Sequence, residues 1–216
     1  MYIQITTKCN MSCRHCAYSC GPRGRDMTRE IFIKSLAVCE NYGEIVAIGG
    51  GEPTIHPQFW EFIGLSLGAD TEGPPWMATN GKITKTALVL ARMARKGIIA
   101  VDLSLDPWHD KIDERVITAF TKGKKDHYLS GSNSEDYRGI RDITKSRDGV
   151  PVAQGRGRKN QYALGSIPGC VCEDIFINPL GDIFACGCQT RKFGTVDKPE
   201  IPDNYERGEC GNKTRE

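Results

Sequence analysis

The chain alternates short β-prone runs with helical stretches, and few other patterns restrict a fold so strongly. YIQITT (Tyr2 to Thr7) comes first. From Thr28, a helix N-cap, the stretch to Tyr42 sets Phe32, Leu36 and Cys39 at helical spacing, and Gly43 ends it. A buried strand over Ile45 to Ile48 opens into GGGEPT. After it come a helix around Phe59 to Leu67, a strand ending in MATNG, a helix from about Thr84 to Lys96 and the strand IIAVDLSLD. Repeated βα units predict an α/β fold with a parallel sheet, whose ligand sites gather at the carboxyl ends of the strands. Each chemically unusual stretch lies at such an end: the first cysteine loop, GGGEPT, TNG and SLDPWHD.

At 216 residues the chain suits one main core. Its 39% hydrophobic and 26% charged residues argue against wholesale disorder, and a net charge of +2 neither implies nor excludes a nucleic-acid partner. No apolar run approaches the roughly 18 to 20 residues that span a bilayer. MYIQITTKC also lacks an apolar signal-peptide core. The expectation is a cytoplasmic chain without a membrane partner. Cytosolic thiols stay reduced, so the ten cysteines point to metal binding rather than a disulfide framework. Cys9, Cys13, Cys16 and Cys20 form one group and Cys170, Cys172, Cys186 and Cys188 another, with Cys39 and Cys210 apart. Cys39 lies on the apolar stripe of the first helix and reads as core.

Cys9-x3-Cys13-x2-Cys16 lets three thiolates converge from one loop on a soft metal centre, either zinc or an iron–sulfur cluster. A structural zinc needs a fourth ligand, for which Cys20 or His15 is available. CxxxCxxC directly after a first strand, followed by a strand ending in GGGEPT and then by HP, resembles the radical S-adenosylmethionine (radical SAM) superfamily. The resemblance implies that Cys9, Cys13 and Cys16 bind three irons of a 4Fe-4S cluster whose fourth iron chelates S-adenosylmethionine. It further implies that Gly50, Gly51 and Glu52 meet the methionine amino group of that cofactor. Thr79 and Asn80, and Ser104 and Asp106, end two later strands where relatives place polar residues around the cofactor. The same four residues also suit helix caps or turns. His15 departs from the family pattern, which has an aromatic residue just before the third cysteine. Cys20 lies outside the triad and reads as structural, while His109 reads as a loop residue or one that reaches substrate.

The second group brackets GCVCEDIFINPLGDIFACGC, two apolar runs around the turn signal NPLGD, and so predicts a β-hairpin that brings Cys170, Cys172, Cys186 and Cys188 to one end. A zinc ribbon is one reading, although its usual spacing is C-x2-C. The segment also resembles the auxiliary-cluster region of radical SAM enzymes with SPASM or Twitch extensions, which implies a second 4Fe-4S cluster. Here too C-x-C departs from the usual pattern. Gly155-Arg156 matches a Gly-Arg pair in such relatives, implying that Arg156 pairs with the cofactor carboxylate; the alternative is a solvated basic loop.

The expected architecture is therefore a partial, shortened (βα)6-type barrel over residues 1–165, with a cysteine-rich hairpin extension and tail over 166–216. An open barrel suits a large substrate. Basic residues between Lys122 and Lys159 incline the expectation towards a nucleotide or nucleic-acid-linked substrate, with a peptide as the alternative. The resemblance also implies an electron-donor protein such as flavodoxin or ferredoxin. The rival from another class is a non-catalytic zinc protein that binds nucleic acid.

Overall fold

The computed structural model describes residues 1–123, 136–141, 156 and 175–203. Strands β1 (Tyr2–Thr6), β2 (Ala47–Gly50), β3 (Trp76–Thr79), β4 (Ala100–Ser104) and β5 (Arg138–Arg141) run parallel, each beside the next. Helices α1 (Arg29–Asn41), α2 (Phe59–Leu67), α3 (Thr84–Arg95) and α4 (Glu114–Thr121) occupy the connections. On the other side of β1 lies β6 (Phe176–Ile177), also parallel to it, followed by the antiparallel β7 (Asp182–Phe184), β8 (Lys192–Thr195) and β9 (Lys198–Pro199). One sheet results, in the order β5-β4-β3-β2-β1-β6-β7-β8-β9.

Strands laid down in one direction, with the usual right-handed crossovers, send their helices to one face of the sheet. Alternation along β1 follows: Ile3 and Ile5, both fully buried, enter the helix-side core, while Tyr2, Gln4 and Thr6 face the other way. Ile3 pairs in register with Ile48 on β2 and Ile177 on β6, so the core runs through all three strands. Phe32 of α1 and Phe62 of α2 stack at 4.0 Å inside it, a contact worth about 1 kcal/mol beyond the area it buries.

The local signals explain the boundaries. Thr28 accepts the Ile31 N–H and starts α1, and Gly43 ends that segment at φ 60°. β2 begins two residues later than the apolar run suggests, because Tyr2 pairs with Ala47 and the ladder continues to Gly50 opposite Thr6. β5 emerges from a polar stretch in which no strand was evident. There Arg138 is 3% exposed, is ion-paired to Asp136 at 2.5 Å and donates to Ala119 O at the end of α4. The expected hairpin is present as β6–β7, with Asn178 and Gly181 at its turn. Cys170, Cys172, Gly155, Cys210 and most of the basic stretch lie outside the described residues. Among the described residues no helix is long and apolar enough to cross a membrane.

Candidate functional site

The carboxyl end of β1 delivers the chain into the loop of Cys9, Cys13, Cys16 and Cys20, and the loop folds back on the strand that launched it. The Cys9 N–H donates to Gly21 O (2.8 Å) and the Thr7 N–H to Arg25 O (2.9 Å). The glycine run is fitted alongside: Gly51 N–H donates to Thr6 O (2.8 Å) and Glu52 N–H to Lys8 O (2.9 Å). A methyl group on Gly51 would lie 2.1 Å from Lys8 O and 2.9 Å from the Cys20 β-carbon, and one on Gly50, at φ 152°, 2.3 Å from Thr6 O. Gly50 is therefore demanded by the end of β1 and Gly51 by the cysteine loop, whatever else they contact.

Glu52 is 1% exposed. Its Oε1 accepts from Thr54 N–H (3.2 Å), Thr54 hydroxyl (2.5 Å) and Thr79 hydroxyl (2.8 Å), and its Oε2 from Asn80 N–H (2.7 Å). Burial pushes the carboxyl pKa up, and the four donors oppose it. Asn80 then reaches the cysteine loop, since its Nδ2 donates to Asn10 Oδ1 (2.8 Å) and lies 3.9 Å from Cys9 Sγ. Glu52, Thr79 and Asn80 thus form one brace joining the ends of β2 and β3 to Cys9. The sequence assigned them separately to the cofactor; their mutual bonding was not legible, because strand periodicity does not say which polar groups meet across a sheet.

Beyond β4 the chain turns tightly. Asp106 Oδ1 accepts the Trp108 N–H (2.9 Å) and lies 2.8 Å from His109 Nδ1, while Asp106 Oδ2 lies 3.9 Å from His15 Nε2. Burial draws the His109 imidazole down, but the adjacent Asp106 carboxylate, with the Cys13 thiol nearby, outweighs it and holds its pKa at about 10. Burial lowers the pKa of His15, whose Nδ1 is buried without a hydrogen-bond partner among the described residues. Ser104, half-buried, ends β4. Arg156 grips the cysteine loop directly: its N–H donates to Cys16 O and its Nε to Cys13 O, both at 3.0 Å. A cleft of about 510 Å³ lies beside the loop, lined by residues including Met11, Cys13, Arg14 and Trp108.

The thiols differ in their surroundings. Burial pushes Cys9 up to about 11. A hydrogen bond from Cys20 draws Cys16 down, aided by nearby backbone N–H groups and Arg156, and the same bond together with burial holds Cys20 up. Cys20, 2% exposed, packs with Cys9 and Met11. Cys186 and Cys188 sit on the tight loop between β7 and β8, where a methyl group on Gly187 would lie 2.5 Å from the Tyr18 hydroxyl. Tyr18 belongs to the first cysteine loop and stacks on Phe176 of β6, which stacks on Tyr2 at 5.5 Å. This aromatic trio, missed in the sequence, joins the two cysteine regions.

A family model described as the radical SAM superfamily matches residues 3–142. The chain belongs to the radical SAM superfamily. Mycofactocin maturase MftC of Mycobacterium tuberculosis is 36% identical over 107 residues, covering 48% of this chain and 26% of that protein. A probable GTP 3',8-cyclase of Methanosarcina mazei is 26% identical over 149 residues, covering 64% of this chain and 42% of that protein. This radical SAM chain therefore spans less than half the length of either curated relative. BtrN, in a crystal structure with AdoMet and 2-DOIA, superposes with a TM-score of 0.61 at 16% identity, over 91% of this chain and 77% of that one. That likeness supports the barrel-type fold.

Superfamily membership implies a 4Fe-4S cluster and S-adenosylmethionine, and the donor set fits them. A single tetrahedral zinc, with Zn–S bonds of about 2.3 Å, holds its sulfurs under about 4 Å apart. The sulfurs of Cys9, Cys13 and Cys16 do not meet that condition: among the described residues, only His15, Asp106 and His109 offer three ligand atoms within 4.8 Å of one another. A cluster with separate irons accommodates the wider spacing.

Proposed function

We propose that this chain is the radical-forming core of an enzyme in which Cys9, Cys13 and Cys16 hold the 4Fe-4S cluster. When bound, the cluster and S-adenosylmethionine supply one-electron cleavage of the cofactor to methionine and a 5'-deoxyadenosyl radical, which takes hydrogen from a substrate C–H bond. The observation that carries this reading is the seating of the cysteine loop on the glycine run and on Asn80. That seating fixes three thiols at the end of β1 without a fourth protein ligand of the same loop being required.

The protein's own part is positioning. Glu52, Thr79 and Asn80 hold the loop against the ends of β2 and β3. The Gly50–Gly51 backbone borders the cofactor. Ser104 and the Nδ1 of His15, which has no hydrogen-bond partner among the described residues, offer polar contacts to it. Arg156 clamps the loop and keeps positive charge beside Cys16. We assign the extension over 166–216 a second cluster on Cys170, Cys172, Cys186 and Cys188. The docking of the Cys186–Cys188 loop on Tyr18 supports that assignment. A flavodoxin- or ferredoxin-type protein would supply the electron, in the reducing cytoplasm that such thiols need.

For the substrate we propose a nucleotide or nucleic-acid-linked group. Arg141, exposed at the carboxyl end of β5, offers it a cation, and the likeness to a probable GTP 3',8-cyclase agrees. Arg138, its neighbour in the basic stretch, is buried and paired and takes no part. The mycofactocin maturases favour a second reading, modification of a peptide or protein. With reconstituted enzyme, reductant and S-adenosylmethionine, nucleotides or oligonucleotides should accelerate 5'-deoxyadenosine formation more than peptides do. The opposite order would replace the first reading with the second.

A further inference from the structure

We propose that His15, Asp106 and His109 form a site for one divalent cation of the zinc class, separate from the cysteines. The site stands on its own geometry and does not rest on the cluster assignment above.

Two strand-end loops supply the three side chains. His15 comes from the loop after β1, and Asp106 and His109 from the turn after β4. That turn is fixed by Asp106, whose Oδ1 accepts the Trp108 N–H (2.9 Å) and whose backbone carbonyl accepts the His109 N–H (3.2 Å). Each imidazole then faces one carboxylate oxygen, His109 Nδ1 at 2.8 Å from Oδ1 and His15 Nε2 at 3.9 Å from Oδ2. The side chains of Asp106, His15 and His109 are 3%, 10% and 15% exposed. The two rings meet edge-on at 5.1 Å and Trp108 lies 5.2 Å from His15, which limits their freedom.

The group differs from an ordinary ion pair. His109 Nδ1 approaches Oδ1 closely, yet it is buried without a hydrogen-bond partner among the described residues, so the two atoms are not aimed at each other. Ligands of a shared cation behave in this way, each directed at the metal rather than at its neighbour. Zinc bonds of about 2.0 to 2.2 Å to nitrogen and oxygen set tetrahedral ligand atoms about 3.3 Å apart, between the 2.8 and 3.9 Å observed. Two imidazoles and a carboxylate are also a donor set that suits zinc, and three protein ligands leave the fourth position to water or a substrate atom. Arg14 and Trp108, chain neighbours of His15 and His109, line the cleft of about 510 Å³, which gives the cation a route in. Without a cation, Asp106 keeps a proton on His109. The metal replaces that proton, which leaves to water.

The test is equilibrium dialysis of the reconstituted, iron-loaded full chain against Zn2+, with zinc and iron both counted. The parent should bind about one zinc per chain in addition to its iron. Asp106→Asn keeps the oxygen that accepts the Trp108 N–H, and His15→Phe restores the aromatic residue usual before the third cysteine. Each should bind zinc at least about 100-fold more weakly, since even partners one shell out from a metal cost about 10- to 100-fold. His56→Gln, a buried histidine outside the site, should bind like the parent. Co2+ gives a second readout that needs no iron, because thiolate ligands add a strong near-ultraviolet charge-transfer band and imidazole and carboxylate ligands do not. The parent's Co2+ without that band should vanish in Asp106→Asn and His15→Phe. A parent that binds no such cation, or equal binding in parent and variants, would overturn the site and leave the proposed function standing. A parent that binds zinc here but loads no iron would do the reverse.

Discussion

Replacing Glu52 by Gln separates two roles for the most buried carboxylate of the site. Each oxygen faces an obligate backbone donor, Thr54 N–H on Oε1 and Asn80 N–H on Oε2. An amide has only one accepting oxygen, so either orientation sets an NH2 against one of these N–H groups. An unsatisfied buried donor costs about 1 to 3 kcal/mol, and the remaining bonds lose their charge assistance. Relief of the buried charge, whose cost shows in the raised pKa of Glu52, offsets part of this. The net expectation is a loss of about 2 to 3 kcal/mol, or roughly 5 to 10 °C in the melting temperature for a chain of this size. The assay is thermal unfolding of the iron-loaded protein, prepared anaerobically, alongside its affinity for S-adenosylmethionine. A variant as stable as the parent but weak in binding the cofactor would refute the bracing role and make Glu52 a direct ligand of the ammonium group.

Two glycines should respond in opposite senses. Gly51→Ala, whose methyl group meets Lys8 O and the Cys20 side chain, should lower stability by about 2 to 4 kcal/mol and diminish iron content after reconstitution. Gly64→Ala, inside α2 with nothing within 4 Å of the added carbon, should instead raise stability by about 0.5 to 1 kcal/mol in the same denaturation assay. His56 supplies a pH test. Its Nδ1 accepts the Gln58 N–H at 3.0 Å and its Nε2 lies 3.0 Å from Met27 O, and burial lowers its pKa, so the fold holds the neutral ring. Its contribution is complete above the unfolded value of about 6.5 and is lost as pH falls through the lower folded value. Denaturation midpoints should therefore drop more between pH 7 and 5 in the parent than in His56→Gln; equal slopes would show that His56 does not carry the effect.

Periodicity placed β1, β3, β4 and helices α1 to α3 close to where they lie, because each buries one face against the same core, whereas α4 (Glu114–Thr121) was not expected. β5 escaped notice because a buried Arg138–Asp136 pair, rather than apolar alternation, holds it. The parallel pairing of β6 with β1 was also hidden, since an apolar dipeptide does not name its neighbour. Within the site, residue types and strand ends were legible while partnerships were not. Asp106, read as a cofactor contact or a turn residue, accepts the Trp108 N–H and lies against His109, and Arg156, read as a carboxylate partner or part of a solvated loop, holds the carbonyls of Cys13 and Cys16. Cys20, set aside as structural, is buried and packs with Cys9, Met11 and Cys16. In each case the contact crosses from one strand-end loop to another, or across a turn within one, and only the folded register brings the groups together.

The central claim is that Cys9, Cys13 and Cys16 hold a cluster that cleaves S-adenosylmethionine. Its most direct measurement is 5'-deoxyadenosine formation under reducing, anaerobic conditions, compared between the parent and Cys13→Ala with iron counted in both. The parent should be brown, carry about four irons per chain, or about eight with the second cluster, and release 5'-deoxyadenosine, whereas Cys13→Ala should release none. A colourless parent containing only zinc, or equal product from both proteins, would contradict the account.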